Sequence, residues 1–186
     1  MFEQTKIEGL IVFTPKIFGD NRGYFYEAYN RNLFHNAGIT NDFVQDNQSK
    51  SSFGVLRGLH YQLPPFAQAK LVRVTQGKVL DVAVDIRENS PTFGQYHSVI
   101  LSEENQKQFM IPRGFAHGFL VLSETAVFQY KCDNFYSQEH DAGIRFDDPT
   151  INIDWGLEAS KILVSEKDTN LPYLGKHAKF SHNIKK

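Results

Sequence analysis

The chain has 186 residues, 41% of them hydrophobic and 13% aromatic, with 16 Phe and 8 Tyr. That is enough apolar surface for one packed domain and too much for a disordered chain. The 20 basic and 21 acidic residues leave a formal net charge of −1, which excludes the broad basic footprint of a nucleic-acid or anionic-membrane binder but not a local anion site made by a few arginines.

The start, MFEQTKIEGLIVFTP, lacks the charged end and long apolar run of a secretory signal, and no stretch approaches the roughly 20 apolar residues that span a bilayer. A cytoplasmic protein without membrane contact is expected. Further along, EAYNRNLFHNAG predicts a helix over 27–38, stopped by Gly38. In FVQDNQS (43–49), strand parity puts Gln45 and Asn47 on the face of Phe43.

The run GVLRGLHYQ (54–62) reads as a strand, yet carries Arg57 and His60 three places apart. Regular alternation would point them to opposite faces. Either only one faces an interior, or Gly58 breaks the alternation. In KLVRVTQGKVLDVAVDI (70–86), two valine-rich runs around Gln76 and Gly77 predict a hairpin. Val82, Val84 and Ile86 there alternate with Asp81, Ala83 and Asp85, the pattern of a strand with one buried face.

Strand-like runs continue at 97–102, 114–123 and 125–132, separated by turn residues in NSPTFG, SEENQ, PRG and SE. The stretch SKILVSEKD (160–168) predicts a turn or two of helix. Many short strands with few helices, the latter mainly towards the two ends, predict an all-β sandwich or small barrel. No repeat or linker divides it, so a single domain over 1–186 is expected.

Parity also selects polar side chains that point with apolar neighbours: Lys70 with Val72 and Val74, His117 with Phe119 and Val121, Tyr130 with Phe128 and Ala126. Each has an ordinary reading by itself. A lysine at a strand end snorkels to water, a buried tyrosine satisfies its hydroxyl in the core, and a lone histidine is structural. Asp168 reads alone as a turn residue and Arg22 as a solvated loop charge. Several inward polar groups on separate strands are more economically one ligand site, because burying them unpaired is costly. A metal site is not expected: RGLHYQ has no His-x-His partner, and His97 and His117 stand apart. The single cysteine, Cys132, also excludes an intrachain disulfide.

The blocks FVQDNQSKSSFGVLRGLHYQ, AKLVRVTQGKVLDVAVDIRENSPTFGQY, IPRGFAHGFLVLSETAVFQYKC, DDPTINIDW and SEKDTNLPYL together resemble the dTDP-4-dehydrorhamnose 3,5-epimerase family, in order and over nearly the whole chain. The resemblance implies a cupin-type β-jelly-roll with its core at about 40–135. It implies a homodimer in which the N-terminal segment of one subunit helps cover the partner's site, and chemistry that needs no cofactor or metal. The implied substrate is a dTDP-linked 4-keto-6-deoxy-hexose, inverted at carbons 3 and 5, both next to the ketone.

By the same resemblance, His60 is the base, Asp168 holds its tautomer and charge, Lys70 faces the ketone oxygen, and Tyr130 returns a proton to the opposite face. Imidazole suits proton abstraction near neutral pH. Arg22, Arg57 and His117 match contacts to diphosphate and sugar, Glu27, Gln45, Asp46 and Asn47 match polar contacts, and Tyr136, Asp141 and Lys167 match the nucleotide end. Two departures stand out: Arg113 where the family more often has an acidic residue, and Asp141 for a commoner glutamate. If Arg57 and His60 serve one site, Gly58 should sit at a bulge or kink. The rival readings are a mono-epimerase at one of the two carbons, a sugar-nucleotide binding module without catalysis, and a metal-dependent cupin.

Overall fold

The computed structural model describes residues 1–180, so the last six residues of the expected 1–186 domain lie outside the described residues. In chain order the described residues form β1 (Phe2–Gln4), β2 (Ile11–Phe13), β3 (Phe18–Asp20), β4 (Gly23–Phe25) and α1 (Arg31–Asn36). There follow β5 (Gln45–Ser52), β6 (Val55–Gln62), β7 (Lys70–Gln76), β8 (Lys78–Asp85), β9 (Tyr96–Ser102) and β10 (Gln108–Ile111). The series closes with β11 (Phe115–Val121), β12 (Thr125–Cys132), β13 (Asp141–Gly143), β14 (Leu163–Val164) and α2 (Glu166–Thr169).

Two sheets face each other. One runs β1-β2-β10-β7-β12-β5; the other runs β13-β6-β11-β8-β9, with β14 parallel to β6. Val72, Val74 and Phe128 from the first sheet meet Val79, Ala83, Phe119 and Val121 from the second. Phe119 and Phe128 stack across the gap, centroids 4.1 Å apart at 12°. Burying a ring of this size contributes about 1.5–3 kcal/mol. The arrangement is a cupin-type β-jelly-roll, in the all-β class expected. Behind the second sheet the C-terminal segment supplies a second apolar layer through Ile144, Ile151, Trp155 and Phe180. Behind the first, α1 and the N-terminal strands pack Phe34 on Phe13 and Phe2.

The helix expected at 27–38 shortens to Arg31–Asn36. Asn30 caps it by accepting the Leu33 N–H, which leaves 27–30 outside, while Gly38 at φ +85° ends it as expected. The segment 160–168 is not continuous helix: β14 occupies its middle, and α2 begins only after Ser165 accepts the Asp168 N–H.

The hairpin expected around Gln76 and Gly77 does not form. β7 pairs with β10 and β12, and β8 with β11 and β9, so the chain crosses from one sheet to the other at Gly77. There Gly77 takes φ +78°, and the Gly77 and Lys78 N–H groups donate to side chains, Glu103 Oε1 and Ser123 Oγ. Nor has β8 a single buried face. Val82, Val84 and Ile86 lie under the C-terminal layer, whereas Val79, Asp81 and Ala83 point between the sheets. Parity from Phe43 also fails: β5 starts only at Gln45, and Phe43 packs outside on Tyr29.

Candidate active site

The site grows out of an irregularity in β6. Opposite β11, His60 faces His117 and Arg57 faces Phe119, so β6 takes three steps where β11 takes two. This bulge carries Arg57 and His60, which a regular strand would separate, onto one cavity. Gly58 makes it possible. Its φ is +133°, and a Cβ there would stand 2.5 Å from Gly118 Cα.

The cavity has a volume of about 620 Å³ and opens between the sheets. His60, Lys70, His117, Tyr130 and Asp168 all line it, together with Asn47 and Arg57. Phe119 and Phe128 form its apolar floor. A side cleft shares His60, Lys70, Tyr130 and Lys167 and adds Tyr136 and Asp141.

His60 and Asp168 form a dyad. Asp168 Oδ1 lies 2.7 Å from His60 Nε2, and Oδ2 accepts the Gly58 N–H at 3.2 Å. A carboxylate only accepts, so Nε2 carries the hydrogen and Nδ1 is left as the basic nitrogen. Burial pushes the Asp168 carboxyl up, but the His60 and Gly58 hydrogen bonds and the Lys167 charge outweigh it and hold the group below its ordinary value. The dyad therefore keeps a fixed anion behind the imidazole.

Lys70, at the start of β7, has no ion pair among the described residues; its ammonium sits 5.7 Å from the Tyr130 ring centre. Burial holds it below its ordinary value, with Cys132, Asp141 and Asp81 acting the other way. Burial likewise raises the Tyr130 phenol, which favours its protonated, proton-donating form. Imidazole, ammonium and phenol thus surround one space, the set a carbon acid beside a carbonyl would need.

Other expected residues take supporting places. Ser51 Oγ accepts the Arg57 Nε–H at 3.1 Å. Gln45 donates to Asn47 Oδ1 and accepts the Tyr136 N–H, tying β5 to the cleft wall. Lys167 and Asp141 form an ion pair at 2.5 Å, and Gln62 also donates to Asp141. Besides Gln45, three expected residues line neither the cavity nor the side cleft. Asp46 lies on the opposite face of β5, paired with Lys131. Arg22 sits in the exposed turn between β3 and β4, paired with Asp20. Glu27 follows that same arm.

Sequence reasoning missed Asp81. Fully buried, it meets His117 Nε2 with both oxygens, at 3.1 and 3.0 Å. Local patterning gave no signal for it, because Asp81 falls on the face of β8 opposite Val82, Val84 and Ile86. Among the described residues no three His, Cys, Asp or Glu side chains converge to hold a metal ion. No described helix is long and apolar enough to cross a membrane.

Fold and site together define a jelly-roll protein with a histidine–carboxylate pair, a lysine and a tyrosine around one cavity. The family model described as dTDP-4-dehydrorhamnose 3,5-epimerase matches residues 4–176. A dTDP-4-dehydrorhamnose 3,5-epimerase from Shigella flexneri is 55% identical over 168 residues, covering 90% of this chain and 92% of its own. The crystal structure of dTDP-6-deoxy-D-glucose-3,5-epimerase from Legionella pneumophila, in complex with dTDP-4-keto-L-rhamnose, superposes with a TM-score of 0.91 at 50% identity, over 95% of this chain and 93% of that one. A 3'-monoepimerase from Streptomyces bikiniensis, solved with dTDP-quinovose, gives 0.85 at 33% identity, over 92% and 86%. The chain belongs to the dTDP-4-dehydrorhamnose 3,5-epimerase family.

Proposed function

We propose that the chain epimerises dTDP-4-dehydro-6-deoxy-D-glucose at carbons 3 and 5 to dTDP-4-dehydro-L-rhamnose. The observation that carries this is the meeting of the His60–Asp168 dyad, Lys70 and Tyr130 at one cavity. His60 Nδ1 takes the proton next to the ketone, Lys70 stabilises the enolate oxygen, and Tyr130 delivers a proton from the other face. Lys70 in that role contributes about 10²–10³-fold in rate, by comparison with an oxyanion-hole donor. Arg57 and His117 hold the diphosphate and sugar, with Gln45 and Asn47 as polar contacts. Tyr136, Asp141 and Lys167 hold the nucleotide end, where the exposed Tyr136 ring offers a face to thymine.

The protein works in the cytoplasm as a homodimer. Arg22 and Glu27 reach a site only as parts of the arm that covers the partner's cavity. Phe18, Tyr24 and Phe25 on that arm are all more than half exposed in the single chain, which supports such a role. Incubation of the enzyme with substrate in heavy water tests the reaction. Deuterium at both carbons supports it, and deuterium at one carbon alone reassigns the chain to mono-epimerisation.

A further inference from the structure

A second histidine–carboxylate pair lies deeper in the same cavity, on different strands from the first. Asp81 on β8 has no exposure, and His117 on the neighbouring β11 is 7% exposed yet lines the cavity. Both Asp81 oxygens approach a single ring atom, His117 Nε2. A carboxylate has no hydrogen to give, so Nε2 must be the protonated nitrogen. The imidazole is also fixed in plane, stacked on Phe128 with centroids 6.0 Å apart at 26°. Among the described residues, no side chain takes its Nδ1.

The groups facing this ring from the surrounding strands are Lys70 on β7, His60 on β6 and Tyr130 on β12, all lining the same cavity. Burial opposes a positive charge on His117 most, Asp81 favours it, and Lys70 and His60 oppose it; the balance holds the ring below its ordinary value. A neutral ring with hydrogen on Nε2 carries a lone pair on Nδ1.

We propose that Asp81 is a positioning residue: it locks His117 in the Nε2–H tautomer, so that Nδ1 serves as a hydrogen-bond acceptor for a hydroxyl of the bound hexose. This rests on the proposed epimerase reading and adds to it a defined chemical role for His117, acceptor rather than donor. It also explains a buried carboxylate at a strand position that an apolar residue would otherwise fill.

A two-bond proton–nitrogen correlation spectrum of the isotope-labelled parent enzyme reads the tautomer directly, with the His117 signals assigned by their loss in His117→Gln. The expected spectrum shows neutral His117 with hydrogen on Nε2. A Nδ1–H tautomer or an imidazolium at neutral pH overturns the inference, and this holds whether or not any Asp81 variant folds. In kinetics, Asp81→Asn replaces the carboxylate by an amide that can turn its NH₂ to the ring, and KM should rise about tenfold with a smaller change in kcat. In the His117→Gln background the same substitution should add nothing further. An equal effect in both backgrounds would make Asp81 merely structural. Failure of the parent to exchange substrate protons would instead reject the epimerase reading and leave the tautomer measurement intact.

Discussion

His60 and Asp168 are 108 residues apart in sequence and 2.7 Å apart in space. The same carboxylate holds the Gly58 N–H, so it anchors both the imidazole and the bulge that aims it. Asp168→Asn keeps the shape but presents an amide that can impose the wrong tautomer on His60. The expected result is a fall in kcat of about 10²–10⁴-fold with the fold intact by circular dichroism, as for a triad carboxylate. A variant with parental kcat would show that the carboxylate has no part in setting up the base.

Tyr130 faces the cavity and has no hydrogen bond among the described residues that removal of its hydroxyl would leave broken. Tyr130→Phe should therefore leave stability nearly unchanged. Epimerised product should fall by about 10²–10³-fold while washout of label from carbon 3 persists, because the proposed base, His60, is retained. Loss of exchange together with product formation would assign the phenol to abstraction instead.

Gly58 is the residue that the bulge requires. Gly58→Ala would force a side chain into φ +133° and set its Cβ 2.5 Å from Gly118 Cα. The expected cost is at least about 2 kcal/mol, or a Tm lower by about 4–8 °C for a chain of this size. An unchanged Tm in a calorimetric scan would contradict this account of the bulge.

Much of this was legible in the sequence, and the failures share a physical cause. Alternation told which side chains share a face, and so placed Lys70, His117 and Tyr130 correctly with Val72, Phe119 and Phe128. It could not tell which strands pair. The short step at Gly77 looked like a hairpin because a two-sheet crossing and a tight turn ask the same of a glycine. Nor can alternation reveal that β8 is covered on both sides, which is why Asp81 passed for a solvent-facing residue. Asp168 was within reach only through the resemblance, since nothing local in SEKDTNLP announces a partner on β6.

Acid stability should fall in two stages. Burial holds His97, His117 and His177 below their ordinary value, so the unfolded chain takes up protons that the folded one refuses, and stability declines as pH drops from about 6.5. Asp85 is fully buried; burial pushes its carboxyl up, but hydrogen bonds from Arg87, Ser90 and Thr92 outweigh this and hold it low. Its contribution is present above about pH 4 and is lost as pH falls through the depressed value. Asp85→Asn should lower stability by about 1–3 kcal/mol at pH 7 and flatten only the lower stage, read from urea midpoints against pH. Unchanged steepness below about pH 4 would remove Asp85 from the explanation.

On the proposed mechanism, one imidazole pulls protons from the carbons on both sides of a ketone. Heavy-water incubation of the parent enzyme and of His60→Ala with dTDP-4-dehydro-6-deoxy-D-glucose, read by magnetic resonance, tests it most directly. Deuterium is expected at carbons 3 and 5 with the parent and at neither with the variant. Parental exchange in His60→Ala, or no exchange in the parent, would contradict it.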